Sequence, residues 1–590
     1  MAVLPGAAET DRQGGLYPLC GSFCGGNRYC NQNGTEHVPS GEWNGMKHVV
    51  IIGSGISGMA CAVRCAEEGI HVTLVSPFPS ERSQSVMAAG GINAVLSEDS
   101  SGDSVECHIQ DTLTGGCRLG GVKAVTGLCE NAGKILRQLE GIGTVFSVDR
   151  EGRLLRRAFG GQSYKRTCYC GASTGKQIVS ALVMEVRRHE AQGLIRRRLW
   201  CCFHSALIRD GVCYGVLLFD ETSGGLDAVY ADAVVIATGG QNTLFGKTTG
   251  STQCDGYAAG KLFMQGAELK NLEFIQYHPT TLETAQKCML VTEAARGEGG
   301  RLFVRKDGRN VYFMEEKYGQ RGNLMTRDII SREIDALGDT AFLDVSFLGK
   351  SVIDKRLSEL RDLCAKYGEI DITREPIPVR PAVHFFMGGL AVHLNHETRI
   401  RNLFAVGECA SMYHGANRLG GNSLLAALYS GNVAANAIAG RENRQTAPPD
   451  FSGETEREKH RLLQHRDTQS RFPVMYIRDL LAETMRKHMG IVRNETDLAQ
   501  GLKDIDYYLS IAGKIRYDSS VMPYFNYSLP AILILARAAV ACALSRRESR
   551  GAHYRSDYPE TEKAYQSATV ISYDGGKYSI RLDEERAYES

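Results

Sequence analysis

Neither sign of charge dominates this chain of 590 residues. Its 68 Lys and Arg stand against 67 Asp and Glu, a formal net charge of +1, so no bulk attraction to nucleic acid or to an acidic membrane surface is expected. Proline is scarce, 15 residues against 65 glycines, which suits a chain with many close backbone approaches to a large ligand. The opening stretch, MAVLPGAAETDRQGG, has neither a basic region nor an apolar core, so no secretory signal is expected there. The longest apolar run, Leu529–Leu544, reads as one helix of sixteen residues and carries Arg537, too short and too charged to span a membrane. Eighteen cysteines with no such signal point to a reducing compartment and free thiols. The expected location is cytoplasmic, or peripheral to a membrane through partners. Residues 1–45 lack periodic apolar positions, and their Cys20, Cys24 and Cys30 form no CxxC pair and have no clear His partner. They read as a loose extension, and no metal site is expected. Internal repeats and low-complexity tracts are absent.

What is present begins at His48–Val63, HVVIIGSGISGMACAV. Four apolar residues, Val49–Ile52, run into Gly53, Gly55 and Gly58 at GxGxxG spacing, and an apolar helix-like run follows. Gly53 permits the tight turn and Gly55 a close backbone approach to a pyrophosphate. Gly58 lets helix and strand come together, with the phosphates at the helix N-terminus, where free N–H groups and the dipole favour an anion. A second strand, His71–Ser76, ends without the acidic residue that usually holds a ribose. Ser76 is the weaker substitute, an arrangement that disfavours a routine NAD site and leaves FAD open. The length leaves room for roughly three or four domains.

After that strand comes RSQSVMAAGGIN, residues 82–93, whose small residues and paired Gly90 and Gly91 let backbone lie flat on a planar ring. Here the chain resembles the flavoprotein subunits of succinate dehydrogenase and fumarate reductase, whose RSH…GG loop joins FAD covalently through a histidine. Ser83 aligns with that loop, but Gln84 stands where the histidine would be, and Ala89 where Gln or Glu is usual. An amide cannot form the flavin bond, so non-covalent FAD is expected. The resemblance continues through FGG (159–161), RTCYCGASTG (166–175), and the buried strand AVVIATGG (233–240). A helix is expected over Val122–Glu140, another over Gln177–Arg188, and a hairpin turn at Ile208–Val212. In CDGYAAG, Asp255 matches the family's FAD-contacting aspartate.

The densest chemistry lies in QYHPTTL (276–282), VTEAARGEGG (291–300) and NLMTRDIISR (323–332). A four-carbon dicarboxylate needs cationic or donor groups at both ends. His278 and Thr292 are expected at one carboxylate, and Glu293, Arg296 and Arg327 form a charged set that could carry a proton. An arginine pKa above 12 ordinarily forbids acid catalysis; a dry site crowded with cations and a relaying carboxylate relaxes that. VHFFMGG (383–389) resembles the family's HYxMGG, with Phe385 in place of tyrosine, and GANRLGGNSL (415–424) opens a helix. The fork of Arg418 suits bidentate carboxylate binding, with His384 beside it. By resemblance, Glu408 contacts the flavin's sugar-like chain, and Ser423 and Leu424 lie by its rings. The tail SRGAHYRSDYP (549–559) matches a further family segment.

The expected fold is α/β: a Rossmann-like FAD-binding domain, 46–282 and 383–445, interrupted by a capping domain at 283–382 and followed by a helical domain at 455–546 and a C-terminal segment at 547–590. The resemblance implies hydride transfer between FAD and fumarate or succinate, fumarate reduction being the favoured direction. It also implies an iron–sulfur partner subunit and, beyond that, a membrane anchor that handles a quinone. L-aspartate oxidase and another 2-enoate reductase are the enzymatic alternatives. A nucleic-acid-modifying flavoprotein would call for a basic surface, and a non-catalytic FAD-binding subunit would have no use for Arg327.

Overall fold

The computed structural model describes residues 46–96, 102–171, 173–442, 447–464, 472–514 and 517–583; the extension bearing Cys20, Cys24 and Cys30 lies outside the described residues. Strand β1 (His48–Ile52) is buried throughout because β2 (His71–Ser76) pairs with one edge and β4 (Ala233–Ile236) with the other. Adding β3 (Ile195–Leu199) and β7 (Leu403–Ala405) gives a five-stranded parallel sheet ordered β7-β4-β1-β2-β3. Parallel strands covered on both faces read as unbroken apolar runs, which is why Val49–Ile52 show no alternation. Helix α1 (Ile56–Glu67) lies on this sheet at a distance only glycine allows: a Cβ on Gly58 would sit 1.9 Å from the Gly53 carbonyl oxygen.

A second, six-stranded antiparallel sheet is built around β5 (Ile275–Glu283) and β6 (Ile377–Phe386). It encloses a separate apolar core that includes Leu282, Leu302, Ile330, Leu343 and Val379. Ile275 and Val383 belong to the first core and Leu282 and Val379 to the second. The limits expected for the insertion, 283 and 382, therefore fall within or at the ends of two strands that run from one core into the other. Both strands are irregular where they meet. His384 is the extra residue of a bulge between the Gln276–Phe385 and Tyr277–Val383 pairs, and a second shift separates His278–Ala382 from Thr281–Arg380. Bulges of this kind re-aim side chains beside active sites.

Helices α2 (Tyr257–Met264), α3 (Arg327–Asp335) and α4 (Asn422–Ala439) complete the surroundings of the two sheets. The C-terminal helices α5 (Val474–His488), α6 (Glu495–Ala512) and α7 (Pro523–Ser545) share the first sheet's core through residues such as Leu481, Met485, Ile505 and Leu533. Helix α7 has 23 residues, longer than the sixteen expected, because Pro523 starts it at the position where a missing N–H costs nothing. Length and composition alone would let it cross a membrane, yet 72% of its apolar window is buried inside the protein. The helix expected over Val122–Glu140 is two, Val122–Glu130 and Ala132–Gly141, broken where the Asn131 amide donates to the Gly127 carbonyl at 2.8 Å. The hairpin turn falls at Asp210 and Gly211, both at positive φ (52° and 71°) as a type I′ turn requires.

The C-terminal segment is tied down by charge. Glu548 is fully buried and accepts from Arg546 Nη1 at 2.8 Å, from Arg550 Nε at 2.7 Å and Nη2 at 2.9 Å, and from the Glu562 N–H at 2.8 Å. Glu548→Gln would leave Arg550 buried without a counter-ion. The expected cost is about 3–5 kcal/mol, read as a lowered urea midpoint; a loss under about 1 kcal/mol, the worth of an exposed pair, would show that the cluster does not anchor the tail.

Candidate active site

A cavity of about 520 Å³ runs from the C-terminal ends of β1 and β2 to the bulged crossing of β5 and β6. Its near end is a cradle of missing side chains. Gly53 (φ +110°) has no room for a Cβ, which would fall 2.2 Å from the Ala237 oxygen. Gly55 is the N-cap of α1 and lines the cavity, and Gly58 lies below it as the helix–strand spacer. Gly91 (φ +127°) would place a Cβ 2.4 Å from the Cys168 oxygen, while Gly90 faces the Phe159 ring. Ser76 lines the cavity, but its hydroxyl donates to the Phe78 carbonyl at 2.7 Å and so holds the turn.

Several buried polar atoms on this wall have no hydrogen-bond partner: Ser83 Oγ, Gln84 Oε1 and Asp255 Oδ2. Leaving such groups unpaired is costly, and a hydroxyl- and phosphate-bearing cofactor would satisfy them. Glu408 accepts from the Phe386 N–H at 3.1 Å, and burial raises its carboxyl to about 7 despite that bond and the nearby Arg418 charge. Ser423 and Leu424, in the first turn of α4, line the same cavity. The residues present therefore fit FAD.

At the far end the charges converge. Glu293 accepts from Arg327 Nη2 at 2.7 Å and Nε at 3.3 Å with one oxygen, and from Arg296 Nη2 at 3.2 Å with the other. Burial works against the Glu293 carboxylate, but the charges of Arg327, Arg296 and Arg418 override it and hold the carboxyl at about 2. Arg296 stands behind Glu293, its Nη1 donating to the Asn323 carbonyl at 2.9 Å. His278 and His384 meet edge to face, ring centres 5.2 Å apart, with His384 Nδ1 2.8 Å from Thr249 Oγ1. Burial first, then the Arg327 charge, pushes both imidazoles well below their usual value, so both are neutral. Thr292 lines the cavity beside Glu293. Arg418 lies over the Phe385 ring at 4.4 Å, its Nε buried without a partner, and burial lowers its pKa well below the ordinary arginine value.

Three contributors escaped the sequence reading. Gln276 accepts from Arg327 Nη1 at 2.9 Å and donates to the Arg418 carbonyl and to Asn417 Oδ1, each at 2.7 Å. It stands two residues before His278 on an extended segment, the spacing that could have flagged it. His414 lines the cavity against Phe385, and burial with the Arg418 charge lowers it to about 3. Tyr524, from α7, reaches Asp255; nothing local in the sequence announces that pairing.

Fold and site define an FAD-binding flavoprotein, and comparison with known proteins agrees. Residues 48–424 match the model of the FAD binding domain family, and residues 478–588 that of the fumarate reductase flavoprotein C-terminal family. The succinate dehydrogenase flavoprotein subunit of Bacillus subtilis is 37% identical, over 87% of this chain and 91% of its own length. The fumarate reductase flavoprotein subunit of Mycobacterium tuberculosis is 33% identical, over 91% of this chain and 96% of its own. The flavoprotein FrdA of E. coli quinol fumarate reductase superposes with a TM-score of 0.83 at 28% identity, covering 91% of this chain and 97% of its own. The chain belongs to the succinate dehydrogenase and fumarate reductase flavoprotein family.

The Glu408 carboxyl gives a pH test on the flavin-free chain. Its folded value near 7 lies above the ordinary 4.5, so its contribution is fully present below about pH 4.5 and is lost as pH rises toward 7. Glu408→Gln removes that loss. The variant should gain stability relative to wild type, by up to a few kcal/mol, between those pH values in parallel urea titrations; a difference that is flat with pH would place the group elsewhere.

Proposed function

We propose that this chain is the flavoprotein that interconverts fumarate and succinate, and that fumarate reduction is its faster direction. The observation that carries the reading is a charge imbalance. Arg296, Arg327 and Arg418 are all buried, and Glu293 is the one carboxylate among them held fully ionised, while His278, His384 and His414 are neutral. Buried charge demands compensation, and a dicarboxylate dianion supplies two negative charges. Bound in the cavity, FAD supplies the hydride.

The protein's own groups do the rest. Arg418 offers its fork to one carboxylate, with His384 alongside, and His278 and Thr292 take the other. Arg327, fixed by Glu293 and Gln276, delivers the proton at its guanidinium, and a proton taken up from bulk solvent and relayed through Glu293, with Arg296 behind it, restores it. Helix α3, packed on the second sheet, carries Arg327 and closes the far end, which excludes water and strengthens every charge interaction inside. The names of the relatives support the substrate class, and the guanidinium set supports a dianion over the aminated substrate of L-aspartate oxidase.

Gln84 supports non-covalent FAD. A flavin without an 8α bond is the stronger reductant, which favours fumarate reduction. Electrons enter from outside, since Ser76 replaces the acidic residue of an NAD site. An iron–sulfur subunit is the partner we assign, with a membrane anchor handling a quinone beyond it, and so a peripheral place on the cytoplasmic face.

Two measurements test this. On acid precipitation the flavin should stay in solution; colour on the pellet would refute the role given to Gln84. With a reduced dye as donor and fumarate, succinate and L-aspartate compared, Arg327→Gln should lose most fumarate turnover while keeping FAD. Arg418→Ala should weaken fumarate binding by about 2–5 kcal/mol, the cost of removing one partner of a buried charge pair. Near-normal turnover in the first variant, unchanged affinity in the second, or preferential use of L-aspartate would overturn the assignment.

A further inference from the structure

The cofactor cavity is not closed by the FAD-binding segments alone. Met522, Tyr524 and Phe525, from the start of α7, line it together with Asp255. The Tyr524 hydroxyl donates to Asp255 Oδ1 at 2.8 Å, and the Tyr257 N–H donates to the same oxygen at 3.0 Å. Asp255 Oδ2 is left buried with no hydrogen-bond partner, 3.6 Å from Arg478 Nη1 of α5. Arg478 is itself fixed, its Nη2 donating to Ser528 Oγ at 2.6 Å, one turn along α7 from Tyr524. The Tyr524 N–H in turn donates to Glu221 Oε1 at 3.2 Å.

The helices carrying these groups cannot slide past one another. A Cβ on Gly260 of α2 would fall 2.3 Å from the Ala531 carbonyl oxygen of α7, and one on Gly256, next to Asp255, would fall 2.4 Å from Leu535 Cδ2. The carboxylate is thus oriented by two donors on one oxygen. Its other oxygen remains as an acceptor on the cavity wall, matched to a hydroxyl donor such as those of FAD's sugar and ribityl portions.

We infer that the C-terminal helices supply part of the cofactor site, Tyr524 and Arg478 setting Asp255 to accept from a hydroxyl of FAD and thereby governing how long the flavin stays bound. This rests on the non-covalent reading of Gln84, since a covalent flavin would need no such retention. Tyr524 is a positioning residue here: it acts on FAD through Asp255.

The test is flavin release. Holoprotein is diluted and the rise of flavin fluorescence followed, for wild type, Tyr524→Phe and Tyr527→Phe. Tyr527 packs edge to face against both Tyr257 and Tyr524, but its hydroxyl has no hydrogen-bond partner, so its variant reports loss of a hydroxyl from the same cluster without loss of the Asp255 contact. Tyr524→Phe should weaken FAD binding by about 10-fold or more, the weight of one hydrogen bond to a charged group, and Tyr527→Phe should not. Equal affinity in Tyr524→Phe, or equal weakening in both variants, overturns the inference. Hydrogen exchange on wild type decides it even if Tyr524→Phe does not fold: FAD should slow exchange at Tyr524–Ser528 and around Arg478, and an absence of protection there overturns it. Flavin retained on the acid-denatured chain would overturn the non-covalent reading and this role with it, whereas released flavin with unaltered affinity in Tyr524→Phe overturns the inference alone.

Discussion

Three buried guanidiniums arranged around one carboxylate are the constraint the rest of the architecture answers. Arginine holds its charge on burial far more firmly than lysine or histidine does. Glu293 balances Arg327 and Arg296 by giving one oxygen to each, and this leaves Arg418 across the cavity against an aromatic face. The histidines lower the strain by staying neutral. The site is therefore built around a deficit of negative charge, and the two-core arrangement lets that deficit be assembled from separate pieces. Arg296, Arg327 and Glu293 come from the segment of the second core, and Arg418 and His414 from the segment that follows it.

What joins the pieces is polar and specific. Gln276 sits on a strand shared by both cores and accepts from Arg327 while donating to the backbone of Arg418. A second link runs in parallel, the Asn417 amide donating to Asp328 at 2.9 Å, each residue adjacent in sequence to one of the two arginines. Since β5 and β6 continue from one core into the other, any opening of the far end must bend these strands at their irregular stretch. That stretch holds His278 and His384. The proposed substrate contacts and the irregular stretch thus fall on the same few residues, and a ligand touching residues of both cores at the far end would favour the closed arrangement.

The same distinction explains how much could be read beforehand. The glycine spacing of 53, 55 and 58 is a local code, carried within one strand–turn–helix unit, and only Gly58 answers to backbone a few residues away; the backbone that crowds Gly53 is that of Ala237. The charged cluster was legible in part for a similar reason: Glu293 and Arg296 are three apart on one turn, whereas Arg327 joins them from 34 residues on. Ser76 lines the cavity, but the sequence could not show that its hydroxyl donates to the Phe78 carbonyl. The break at Asn131 was hidden because an amphipathic pattern survives a one-residue interruption. Gln276 and Tyr524 were missed for a deeper reason. Their partners are 142 residues away, at Arg418, and 269 away, at Asp255, and no periodicity reports a contact at that range.

Burial alone does not mark a site; satisfaction does. Arg546 and Arg418 are the same residue type at nearly the same depth, 0% and 4% exposed. Arg546 uses every donor it has: Nε to Glu273, Nη1 to Glu548 and the Tyr565 carbonyl, Nη2 to the Ser567 carbonyl and Thr569 Oγ1. Nothing is left for a ligand, so that guanidinium is an anchor for the tail. The Arg418 guanidinium makes no hydrogen bond among the described residues, and its Nε is buried without a partner. A folded chain tolerates such a group only where something else completes it, and Arg418 lines the cavity, where a ligand could do so. The SRGAH tail and the NRLGG turn look equally basic in sequence, yet Arg550 of the first is spent on Glu548, and Arg418 of the second faces the cavity.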